Sequence, residues 1–104
     1  MKIRLVTRAA GLLLIAACAW TTAHAQDPAY ARSLAATCTN CHGTDGRSDG
    51  SLPSLAGVEK SYMVQQMQDF KNGKRLATVM HQLAKGYTDA QIELIAGYFA
   101  AIRK

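Results

Sequence analysis

The sequence predicts an all-α domain, with three main helices built around one cofactor. Three observations carry that expectation. Apolar residues recur at helical spacing in separate stretches, and no stretch alternates apolar and polar residues as a strand would. The part of the chain expected to fold is also short enough to need a staple.

The chain has 104 residues, 49 % hydrophobic and 18 % charged. That is too apolar for a disordered polymer. It is too short for a repeat array, or for an enzyme with separate cofactor and substrate domains.

Residues 1–25 stand apart. Lys2, Arg4 and Arg8 form a basic head, residues 9–20 are uncharged and mostly apolar, and Ala23-His24-Ala25 is a small-x-small cleavage site. This is the layout of a secretory signal peptide, which leaves 26–104 as the folded domain. The apolar run is well below the roughly 20 residues that a membrane-spanning helix needs, so no membrane span is expected. Ile15-Ala16-Ala17-Cys18 resembles a bacterial lipoprotein box that would place a lipid on Cys18. The short apolar core before Cys18 and the Ala-x-Ala site after it favour cleavage behind Ala25 and a soluble periplasmic protein.

Removing the leader lowers the twelve Lys and Arg to nine, against seven Asp and Glu, a net charge of +2 instead of +5. Nucleic-acid binding thereby loses its electrostatic support. Folds under about 80 residues usually need a disulfide, a metal or a cofactor.

The elements follow in order. Asp27-Pro28 reads as N-cap and first helical residue, and Ala31, Leu34, Ala35 and Cys38 fall on one helical face. Residues 43–52 are rich in Gly, Asp and Ser and form a loop, which Pro53-Ser54-Leu55-Ala56-Gly57 continues as a turn. Met63, Met67 and Phe70, with Tyr62 and Gln66 alongside, define a second helix over about 59–72, ended by Gly73. Leu76, Met80 and Leu83 suggest a short helical piece ending near Gly86. Thr88 with Gln91 is a capping box. Ile92, Ile95, Phe99 and Ile102 define a last helix of about fifteen residues, and Arg103 and Lys104 suit its negative C-terminal end.

The cysteines identify the staple. Cys38-Thr39-Asn40-Cys41-His42 is the C-x-x-C-H pattern of covalent haem attachment. Two thiols that add to two haem vinyl groups must sit about one helical turn apart, and the next residue then offers an imidazole to the iron. Three other readings compete. A thioredoxin-like redox pair wants a βαβ context. A zinc site wants a second cysteine pair. A disulfide at this spacing closes a very small loop and stabilises little.

Longer stretches resemble class I c-type cytochromes over nearly all of 26–104. Residues 41–46, 53–57 and 70–75 resemble the cytochrome c4 and c553 group. Residues 77–80, 84–89 and 98–100 are similar to the cytochrome subunit of flavocytochrome c sulfide dehydrogenase. Those subunits often carry two cytochrome domains, whereas this chain has one attachment motif.

The resemblance implies one haem c, with Cys38 and Cys41 as thioether attachments and His42 as an axial iron ligand. It implies that the backbone carbonyl of Pro53 accepts the other imidazole N–H, as metal-bound histidines generally require of some acceptor. For the second axial ligand the resemblance favours Met80, before the last helix. Met63 and Met67 share a face with Phe70 and read as core. His81 is the remaining candidate, its plainer reading being a surface histidine.

His/Met ligation fills both axial positions of the iron, so the expectation is an electron-transfer protein without bond chemistry of its own. Its expected partners are a redox protein, with a sulfide-oxidising flavoprotein favoured, and a downstream cytochrome or oxidase. Lys60, Lys71, Lys74, Arg75 and Lys85 would form a basic ring facing an acidic partner. Two alternatives remain at this point. One is a small-ligand-binding or peroxidase-like haem protein in which Met80 is displaced. The other is a haem-free thiol protein.

Overall fold

Asp27 opens the first helix as the spacing predicts, its carboxylate accepting the Ala29 N–H at 2.9 Å while Pro28 takes the first helical position. The structure, a computed structural model, describes residues 27–104. The expected leader over 1–25 and Cys18 lie outside the described residues. Among the described residues four helices follow one another: α1 (Pro28–His42), α2 (Lys60–Lys71), α3 (Met80–Lys85) and α4 (Asp89–Ala100), with a single 3-10 turn at Thr44–Gly46. Among the described residues there is no strand. Three long helices and one short one form the expected all-α architecture.

Each longer helix has a side-chain cap, which satisfies N–H groups that no intrahelical carbonyl reaches. Glu59 caps α2 by accepting the N–H groups of Ser61 and Tyr62. Thr88 and Gln91 form the reciprocal capping box of α4. The short α3 has no side-chain cap.

α1 packs on α4, and α2 packs on both α3 and α4. The apolar faces meet in two clusters. Ala35, Met63, Ile95, Ala96 and Phe99 form the first, with Leu34 and Cys38 at its edge. Met67, Ala84 and Ile92 form the second, with Phe70 and Met80 at its edge. Val64 and Tyr87 touch both clusters. Met63 and Met67 are both buried, as their shared face with Phe70 predicts.

Three details differ from the sequence expectation. α4 stops at Ala100 instead of running through Ile102. Continuing it would require the Phe99 carbonyl to accept from residue 103. That oxygen already accepts from Gly57 at 2.8 Å and from Ile102 at 3.1 Å, so the last turn closes. Arg103 and Lys104 consequently lie beyond the helix, whose last turn holds no basic residue. Leu76 lies outside α3 and is 96 % exposed. The Lys74 and Arg75 N–H groups fold back onto the Asp69 carbonyl at 2.8 and 3.1 Å, which delays the start of α3 to Met80.

Candidate functional site

The last turn of α1 carries Cys38, Cys41 and His42. Both thiols are free. Cys38 is half-buried against the first cluster, whereas Cys41 is exposed. Burial pushes the Cys38 thiol above its ordinary pKa, partly offset by the neighbouring Thr37 hydroxyl.

Gly43 ends α1 with φ 87°, and a Cβ there would collide with the Arg47 carbonyl at 2.0 Å. The chain can therefore turn sharply behind His42 only because this residue has no side chain. The 3-10 turn follows, and Gly46 passes close under Phe99. Its carbonyl accepts the N–H groups of Leu55 and Ala56 at 2.7 and 3.2 Å, closing the loop into a fixed bow. Ser54 Oγ accepts the Ser48 N–H at 3.0 Å and braces the middle of the bow.

This bow brings Pro53 to His42. The distance from His42 Nδ1 to the Pro53 carbonyl oxygen is 2.7 Å. A carbonyl can only accept, so Nδ1 carries a proton, and in the neutral ring Nε2 is the nitrogen with a lone pair to offer. The imidazole is thus fixed in orientation and tautomer by the main chain, the arrangement that metal-binding histidines use.

Met80 is the first residue of α3. It is half-buried beside Met67, Ala84 and Ile92. It is the one methionine of the described residues whose side chain is not fully enclosed. His81 is not a fully exposed surface histidine: it is half-buried, and its Nδ1 has no hydrogen-bond partner. Cys38 and Met80 stand at the edges of different clusters, joined through Val64 and Tyr87.

Two free thiols one turn apart, an imidazole with a fixed acceptor nitrogen and a thioether make a donor set that suits covalent haem with two axial ligands. Leu52, Val79 and Leu83 add exposed apolar surface in the loop that carries Pro53 and around α3, which suits a large apolar ring better than a bare metal ion.

The expected basic ring is only partly available. Lys60 pairs with Glu93 at 2.9 Å, and Lys71 with Asp89 at 3.3 Å. The Arg75 guanidinium lies 4.7 Å over the Phe70 ring and also donates to Gln66. Among the described residues, Lys74 and Lys85 form no ion pair.

Sequence reasoning missed Tyr87 and Thr37, whose hydroxyls meet at 2.6 Å. The available signal was an amphipathic aromatic residue between a helix-ending glycine and an N-cap threonine. Such a tyrosine, once buried, has to find a polar partner.

A family model described as cytochrome c matches residues 29–102. The cytochrome subunit of sulfide dehydrogenase from Chlorobaculum tepidum is 48 % identical over 71 residues, which are 68 % of this chain and 64 % of that protein. Cytochrome c4 from Pseudomonas aeruginosa is 42 % identical over 81 residues, 76 % of this chain and 40 % of that protein. The solved structure of Acidithiobacillus ferrooxidans cytochrome c4 is similar with a TM-score of 0.60 and 43 % identity, covering 62 % of this chain and 38 % of that one. The chain thus spans between about two fifths and two thirds of the length of these relatives.

Proposed function

Because the chain belongs to the cytochrome c family, we propose that it carries single electrons between redox proteins in the periplasm. Its cofactor is covalently bound haem c. In this reading residues 1–25 are removed on export and 26–104 form the working domain. Cys38 and Cys41 hold the haem, and His42 and Met80 ligate its iron. The hydrogen bond from His42 Nδ1 to the Pro53 carbonyl carries the assignment. It holds the ring in one orientation and leaves Nε2 as the nitrogen that would meet the iron.

Haem c supplies one-electron redox chemistry at its iron. His42 and Met80 would hold the iron in both oxidation states, so electron transfer would need little rearrangement of the chain. As a thioether, Met80 would favour the reduced iron and raise the potential. The packed clusters exclude water from one side of the site.

The similarity to a sulfide dehydrogenase subunit supports a flavoprotein that oxidises a reduced sulfur compound as electron donor, and a further cytochrome or oxidase as acceptor. A donor that releases two electrons at once must fill two copies of a one-haem chain, or one copy twice. By itself the chain carries out no bond chemistry.

The test is spectroscopic. The mature protein should have the mass of a chain starting at Gln26 plus one haem. It should titrate as a one-electron couple, show the far-red sulfur-to-iron band when oxidised, and ignore carbon monoxide when reduced. A high-spin ferric form that binds carbon monoxide on reduction overturns the carrier assignment.

A further inference from the structure

Tyr87 lies between α3 and α4, just before the N-cap Thr88, and it engages the other helices with different parts of itself. Its ring packs against both core clusters. Its hydroxyl meets Thr37 Oγ1 at 2.6 Å across a separation of 50 residues. Its carbonyl accepts the Lys71 ammonium, also at 2.6 Å. Its N–H reaches the Ala84 carbonyl at 3.3 Å.

The direction of the hydroxyl bond follows from counting protons. Thr37 donates its single hydroxyl proton to the Leu34 carbonyl at 3.0 Å. Tyr87 must therefore donate to Thr37. Thr37 directly precedes Cys38 on α1. α3 has six residues, no side-chain cap and its packing on α2, which is too little to fix its own position. The carbonyl bond from Lys71 is charge-assisted and secures the Tyr87 backbone to α2. The hydroxyl bond then ties that anchored point to α1.

We propose that Tyr87 is a positioning residue for the iron site, setting the placement of Met80 relative to Cys38 and His42 through its bond to Thr37. This rests on the reading of His42 and Met80 as axial ligands. Movement of α3 away from α1 would carry Met80 off the iron, and the Tyr87–Thr37 bond opposes that movement.

The experiment uses the haem-loaded, oxidised protein and imidazole as the probe that competes with Met80. Tyr87→Phe keeps the ring and removes the bond. It should retain the far-red band at rest and bind imidazole about three- to tenfold more tightly, the range that one net hydrogen bond spans. Thr37→Val should do the same, and the double variant should show no more than either single change. Tyr30→Phe is the control for a lost hydroxyl elsewhere, because Tyr30 accepts from Gln91 at 3.0 Å between α1 and α4; it should leave imidazole affinity unchanged.

Parent-like affinity in both Tyr87→Phe and Thr37→Val, fully additive effects, or an equal gain in Tyr30→Phe overturns the role of Tyr87. If Tyr87→Phe fails to take up haem, Thr37→Val decides alone. Met80→Ala separates the two levels. Loss of the far-red band there, with parent-like imidazole binding in the Tyr87 and Thr37 variants, removes only the positioning role. Persistence of the band in Met80→Ala removes the ligand assignment and the positioning role with it.

Discussion

Gly46 and Phe99 are in closest approach where the 3-10 turn passes beneath α4: a Cβ on Gly46 would stand 2.8 Å from two carbons of the Phe99 ring. Phe99 is fully buried and cannot retreat. Gly46 also has φ 74°, a left-handed conformation that costs an L-residue about 1–2 kcal/mol. Overpacking adds about 1–3 kcal/mol. Gly46→Ala should therefore destabilise the haem-loaded protein by about 2–5 kcal/mol, measured by urea unfolding. A loss under about 1 kcal/mol would mean that the turn relaxes freely and does not fix the bow carrying Pro53.

The methionines separate by burial. Met63 and Met67 are enclosed, and Met80 is half-open at the start of α3. Met80→Ala should abolish the far-red band, turn the oxidised iron high-spin or water-ligated, and lower the potential, because a thioether favours Fe(II) over harder ligands. Met63→Leu and Met67→Leu should each change stability by less than about 1.5 kcal/mol and keep the band. A band lost in either leucine variant but kept in Met80→Ala would move the ligand elsewhere. If no methionine change affects it, the half-buried, unpartnered His81 is the next residue to replace.

Removing both attachment thiols tests the cofactor as a structural staple. Cys38→Ala combined with Cys41→Ala should yield no stable haem protein, read by haem content after acidified-solvent extraction and by far-ultraviolet circular dichroism. A folded, haem-free double variant would show that the small core holds without the cofactor, contrary to what a domain of this size requires.

Acid should weaken the contact between α2 and the start of α4. The Asp89 carboxyl is held below its ordinary pKa of 3.8, first by the hydrogen bond from Gln68, then by the bond and charge of Lys71. A carboxyl depressed in the folded state contributes stability above its unfolded pKa and loses it as pH falls through the lower folded value. Asp89→Asn should therefore be less stable than the parent near neutrality. The gap should narrow as pH falls below about 4, followed by thermal unfolding across pH. A gap that stays constant to acid would show that the carboxylate charge contributes nothing there.

What the sequence revealed of the fold was local. The cap at Asp27, the face shared by Met63 and Met67 and the Thr88–Gln91 box each depend on residues within a turn or two of one another. What it hid was non-local. The end of α4 is decided by Gly57 taking the Phe99 carbonyl from 42 positions away. The basic ring shrinks because Lys60 and Lys71 find carboxylates on a helix that periodicity cannot place beside them. The candidate site divides the same way. Cys38, Cys41 and His42 are contiguous and legible as chemistry. Pro53 and Met80 were reached only through family resemblance, and Tyr87 by neither route.

The unequal exposure of the two thiols bears on how such a chain is made. Cys41 is open to solvent, while Cys38 is half-covered at the seam of α1 and α4, a cover that raises its pKa. Bond formation at sulfur needs access and is fastest from the thiolate. Once α1 has closed on α4, the proposed attachment at Cys38 is disfavoured on both counts. Delivery of the ring is therefore favoured while α1 and α4 are still apart, with the seam closing over Cys38 afterwards.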